Sequence, residues 1–259
     1  MVALLAALLA VGGLASQPMP VAAATAKVVI VVGPTGSQTA KYIDSARRLA
    51  AQARGYGAAV YEIYSPNATW SRVRSVAQGA NLFIYLGHGN GWPSPYCCFQ
   101  PYTKDGLGLN KVAGAGHSNV RYYGEYYLKN YIRLAPDSVV ILNRLCYASG
   151  NSEWGTADPS LSTARKRVDN YGAGFLRTGA RAVFAEAIAS TSYVLYGLFR
   201  TSRSVSQIFW SAPNAKRTYA SSFSSVRTPG KRALLDPTYR TKYWRSVIGD
   251  LGMTASTWR

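Results

Sequence analysis

Two side chains suited to covalent chemistry stand immediately after apolar runs. His88, one of two histidines, sits between glycines where NLFIYL ends, in NLFIYLGHGNGWPSP. Cys146, one of three cysteines, closes SVVILNRLC. A neutral imidazole accepts a thiol proton, a thiolate attacks a carbonyl, and nearby backbone amides stabilise the oxyanion; these are the parts of covalent acyl transfer. Alone, a strand-end cysteine is most often an inert small hydrophobe and a loop histidine is polar surface. Their joint placement carries the signal, and a thiol beside a glycine-framed imidazole is expected to have an increased thiolate fraction.

The elements that would position them alternate regularly. KVVIVV (27–32) is a β-branched run that fits a strand buried on both faces. SQTAKYIDSARRLAAQARGYG follows with helical period, Tyr42, Ile43, Ala46, Leu49, Ala50 and Ala53 on one face, Ser37 as cap, and Gly55 and Gly57 as the stop. A strand at 58–64, a helix in TWSRVRSVAQ and a strand at 81–86 come next, then a glycine- and aromatic-rich insertion at 89–117. A helix over 122–134, a strand at 138–143, a helix near 168–178 and a strand in RAVFAEA complete the series. The pattern predicts an α/β domain over 27–209, a mostly parallel sheet with helices on both faces, and a basic subdomain or appendage at 210–259. Such sheets carry working residues in loops beyond the carboxyl ends of their strands, where His88 and Cys146 fall. Two adjacent parallel strands would then aim both at one crevice.

Other residues are weaker candidates. His117, in GAGHSNVRYY, is the competing base but is not at a strand end. Adjacent Cys97 and Cys98 in SPYCCFQPY are by default ordinary thiols; the alternatives are a vicinal disulfide, a redox element that caps the site, or a link between chains. Glu153, Asp158 and Asp169 beyond Cys146 either line a pocket for a basic side chain or cap and solvate. Neither CxxC nor HExxH spacing occurs, so no metal or other cofactor is expected. GPTGS after the first strand lacks the GK[ST] ending of a phosphate loop.

Composition frames the setting. The 259 residues are 48% apolar, enough for a packed core and unlike a disordered chain. Residues 1–26 hold no charge, and the apolar run 2–15 followed by proline and small residues has the form of a signal peptide, or of an anchor that stays uncleaved. Export, with the protein secreted or at the cell surface, is therefore expected. Lys plus Arg number 29 against 11 acidic residues, a formal net charge of +18. Eleven of those bases, against two aspartates, fall in 200–259. That excess fits an anionic cell-wall or membrane surface, and nucleic acid less well.

The residues around the imidazole and the thiol resemble those of the caspase-like cysteine peptidases, the group of caspases, gingipains, legumain, separase and the CHAT-domain proteases. The resemblance rests on the apolar strand ending in Gly87-His88-Gly89, on the strand ending in Leu142-Asn143-Arg144-Leu145-Cys146, and on GAGFLRTGARAVFAEAI (172–188). It covers about 27–188. It implies a caspase-like fold, a Cys146–His88 dyad, an oxyanion hole from the Gly89 and Cys146 amides, and a protein or peptide substrate. Two features depart from the family: Leu145 stands where a small residue is common, and WPSPYCCFQPY has no counterpart. The alternative is a non-catalytic, basic cell-surface binding module that keeps the fold.

Overall fold

The computed structural model describes residues 25–259, so the expected signal segment lies almost wholly outside the described residues. Five strands form the parallel part of one sheet: β1 (Lys27–Val32), β2 (Ala59–Tyr64), β3 (Leu82–Leu86), β6 (Val139–Asn143) and β7 (Ala182–Glu186). They lie in the order β2-β1-β3-β6-β7. The chain runs outward from β1 to β2, then crosses to β3 on the other side, which puts a topological switch point between β1 and β3.

Alternation along these strands feeds two cores. Val29 and Val31 of β1, Phe83 and Tyr85 of β3, and Val140 and Leu142 of β6 face one side. Val28 and Ile30, Leu82 and Ile84, and Val139 and Ile141 face the other. Burying each such Val, Ile or Leu is worth about 1.5–3 kcal/mol, which is why the runs read as continuously apolar. Helices α1 (Thr39–Gly55), α5 (Ser192–Arg200), α6 (Val205–Trp210) and α7 (Ala255–Trp258) cover the second face. Helices α2 (Trp70–Ala77), α3 (Glu125–Tyr131) and α4 (Leu161–Leu176) cover the first.

The sequence placed Tyr122 and Tyr123 in a helix, but they belong to β5 (Val120–Tyr123), which pairs antiparallel with β4 (Leu107–Asn110) inside the insertion. Gly124, with extended backbone, ends the strand and starts α3. Helix α4 begins at Leu161, earlier than the apolar period indicated, because the Ser160 side chain accepts from the Thr163 amide and caps it. The basic C-terminal region contributes β8 (Ser221–Ser224), β9 (Arg232–Leu235) and β10 (Arg245–Gly249) to the same sheet. β10 runs antiparallel to β7, giving eight strands in all. Among the described residues no helix is long and apolar enough to cross a membrane.

Candidate active site

β3 and β6 are hydrogen-bonded neighbours with Leu86 opposite Asn143, so the chain leaves both side by side. His88 and Cys146 follow within a few residues and line one crevice of about 460 Å³. The loop after β1, with Thr35 and Gln38, Ala187 after β7 and Lys242 before β10 complete its walls. The crevice thus sits over the carboxyl edge of the parallel strands and includes the switch point.

Each arm is fixed by identifiable bonds. On the histidine side, the Tyr85 hydroxyl lies 2.8 Å from the Gly108 carbonyl oxygen and 3.1 Å from that of His88, and accepts the Gly108 amide at 2.9 Å. A β carbon at Gly87 would stand 2.3 Å from that hydroxyl, so only glycine lets the chain pass. On the cysteine side, the Asn143 amide group donates to the Glu186 and Ala189 carbonyls at 2.9 and 2.8 Å. The Arg144 amide donates to Glu186 as well, at 2.7 Å. Arg144 and Tyr147 have φ of 66° and 68°, a left-handed backbone that costs about 1–2 kcal/mol per residue and turns the chain sharply around Leu145 and Cys146. Leu145 goes into the core, and Cys146 stays half-buried in the wall.

The arms touch at Gly89, where a β carbon would fall 2.0 Å from the Cys146 carbonyl oxygen and 3.0 Å from its amide nitrogen. Among the described residues, neither the Gly89 nor the Cys146 amide donates to a protein acceptor. Helix α4 secures the loop beyond. Tyr171 accepts the Asn90 amide at 3.0 Å, Asn170 donates to the Trp92 carbonyl at 2.8 Å, and buried Arg167 joins the Pro93 and Asn151 carbonyls at 2.7 and 2.8 Å.

Electrostatics make both partners neutral. Burial pushes the Cys146 thiol up to about 11, with the nearby Glu153 carboxylate adding to the rise. The expected increase in thiolate fraction is therefore reversed: the half-buried wall disfavours the anion, and the charge beside it is negative. Desolvation by the crevice holds His88 below the ordinary imidazole value, with Glu153 opposing. At neutral pH the thiol and the imidazole that line the crevice are both uncharged.

His117 is not among the residues lining the crevice; its Nδ1 lies 2.9 Å from the Ser65 hydroxyl. Glu153 and Asp158 do line it. Asp158 pairs with Lys242 at 2.8 Å, and Glu153 accepts from the Tyr96 hydroxyl at 2.8 Å. Asp169 is instead buried, accepting from the Ser225 hydroxyl and the Val226 and Arg227 amides. Cys97 and Cys98 are free thiols. Among the described residues no cluster of three His, Cys, Asp or Glu side chains offers a metal site. Sequence reasoning missed Tyr85, Arg167 and Glu186; the lone hydroxyl inside LFIYL was a signal for the first.

No protein-family model matches this chain, and no curated protein does. Among solved structures it is similar to a secreted C11 cysteine protease from Bacteroides thetaiotaomicron in complex with an irreversible peptide inhibitor. Identity is 12% over 82% of this chain and 66% of that one, with a TM-score of 0.41. It is also similar to the Arg-specific cysteine proteinase gingipain R, at 12% identity over 89% of this chain and 61% of that one, TM-score 0.38. The chain spans less than two thirds of either structure's length.

Proposed function

We propose that the chain is a caspase-like cysteine peptidase that hydrolyses peptide bonds through an acyl-enzyme on Cys146, with His88 as proton-transfer partner. One observation supports the reading above the others. An imidazole and a thiol, each a few residues past one of two adjacent parallel strands, wall the same crevice.

Because the resting thiol is neutral, attack and deprotonation are coupled. The Cys146 sulfur bonds to the substrate carbonyl carbon while its proton passes to the His88 imidazole, and the carbonyl electrons move to oxygen, facing the Gly89 and Cys146 amides. Collapse expels the amine, which takes the proton from the imidazolium. His88 then takes a proton from water as its oxygen bonds to the thioester carbon; the carbon–sulfur bond breaks, the Cys146 sulfur recovers the proton from the imidazolium, and the acid is released. These residues suffice without a cofactor. The substrate is a protein or peptide, and Trp154, 84% exposed at the rim, offers it an apolar face. Activity assays on a cleavable peptide pool with His88→Ala and Cys146→Ala test the reading.

One observation favours the alternative, a non-catalytic basic module: Cys146 is half-buried in a wall that also holds the Glu153 carboxylate, a setting that disfavours the nucleophilic thiolate.

In the same reading the protein is secreted or held at the cell surface. Part of its C-terminal charge is committed to the fold, since Arg245 is fully buried and Lys242 pairs with Asp158. Arg203, Arg217 and Arg232 remain exposed around an open groove of about 700 Å³, with Trp210. This groove is the surface we assign to anionic wall or membrane material, ahead of nucleic acid. Retention should weaken steeply as salt shortens the Debye length from about 8 Å to about 3 Å. Cosedimentation unaffected by salt would remove the assignment.

A further inference from the structure

A second cavity, of about 430 Å³, shares Glu153 with the crevice and has Gly89 in its wall; Tyr96, Cys97, Cys98 and Lys104 also line it. The two cysteines are exposed and unbridged, with their sulfurs 3.0 Å apart. Successive side chains of an extended segment point to opposite sides. Here Cys97 has φ of 38°, a backbone that a β carbon disfavours, and it brings both thiols together. The Lys104 ammonium lines the same cavity, fixed by Asn90 and Ser94 at 2.8 and 3.1 Å. The Cys98 thiol and amide, donating to Cys97, hold its thiol below the ordinary value. The residue before the pair is Tyr96, whose hydroxyl donates to Glu153.

We propose that Cys97 and Cys98 form a redox modification site, closed to a vicinal disulfide by exchange with a small-molecule disulfide and reopened by thiols, and that its state reaches the crevice through Tyr96 and Glu153. The exchange stands apart from the peptidase reading, and only its effect on turnover rests on that reading. The Cys97 thiolate attacks one sulfur of the reagent; a mixed disulfide forms, and the reagent's own sulfur–sulfur bond breaks to release a thiolate. The Cys98 thiolate then attacks the Cys97 sulfur and expels the second thiolate. The protein dithiol is oxidised, the reagent is reduced to two thiols, and these take the two protons the cysteines gave up. Adjacent residues lie about 3.8 Å apart at Cα, short of the roughly 4.4 Å lower bound for ordinary bridges, so thiols reopen such a bond readily.

Closure redraws the backbone next to Tyr96 and withdraws its hydroxyl from Glu153. The freed carboxylate then presents a fuller charge to Cys146, whose thiol it already raises. The thiolate becomes scarcer.

The test uses the full chain with oxidised glutathione, read by intact mass and peptide mapping. The expected result is loss of two hydrogens mapped to the Cys97–Cys98 peptide, restored by dithiothreitol. Alkylation of Cys146 by iodoacetamide should be at least about threefold slower in the oxidised protein. In Tyr96→Phe the disulfide should still form while that rate difference disappears. A persistent glutathione adduct, a bridge between chains or equal Cys146 rates in the two states would each overturn the proposal. None of these readouts requires turnover, so they are decided whether or not the chain cleaves peptides.

Discussion

Gly89 and Cys146 meet backbone to backbone: a β carbon on the glycine would fall 2.0 Å from the carbonyl oxygen of the cysteine. That contact sets the spacing between the histidine arm and the cysteine arm. Gly89→Ala must push them apart, and a misplacement of about 1 Å costs on the order of 10²-fold in rate. We expect kcat/KM to fall by about that factor while circular dichroism stays native. An alanine variant with unaltered turnover would mean that the two loops do not hold the reacting groups.

Glu153 acts on both members of the pair, raising the thiol and the imidazole alike. Removing its charge in Glu153→Gln should lower both. Alkylation of Cys146 near pH 8 should become about threefold faster or more, because more thiolate is present. The reacting imidazole must be neutral, so activity rises with pH through the His88 pKa, which lies below the ordinary imidazole value. In Glu153→Gln that acid limb should move to lower pH. A limb moving upward would show that the carboxylate does not face the pair.

The stability of the cysteine arm depends on a buried ion network. Arg245, fully buried, contacts Glu186 at 3.0 Å, Asp236 at 2.5 Å and the Phe209 carbonyl at 2.5 Å. Arg245→Met would strand two carboxylates in the interior, a change worth about 3–5 kcal/mol. Urea unfolding should register a loss of that size, and a loss below about 1 kcal/mol would contradict the network's role.

The parallel strands were legible because burial on both faces leaves an unmistakable apolar run, as in KVVIVV and SVVILN. The position of His88 and Cys146 just past two adjacent strands was legible for the same reason, since it follows from where those runs stop. Tyr122 and Tyr123 were not: a four-residue strand paired only with β4 has neither the length nor the alternation to outweigh the helical signal of the residues after it. The supports of the site were hidden as well. Arg167 and Asn170 act on carbonyls seventy-odd residues away, and carbonyls carry no side-chain signature. The thiol's acidity was misjudged because burial and Glu153 are properties of the folded crevice, and the Gly-His-Gly motif reports neither.

The most direct measurement is turnover of a cleavable peptide pool by wild type, His88→Ala, Cys146→Ala and the double variant, all checked for native folding. Residues acting as one unit lose activity together, so we expect each single variant to retain almost nothing and the double variant to lose no more. His117→Ala should be close to wild type. Full activity in His88→Ala, or in Cys146→Ala, would contradict the account; a wild type inert toward every peptide, ester and amide substrate would do the same and leave the binding module in its place.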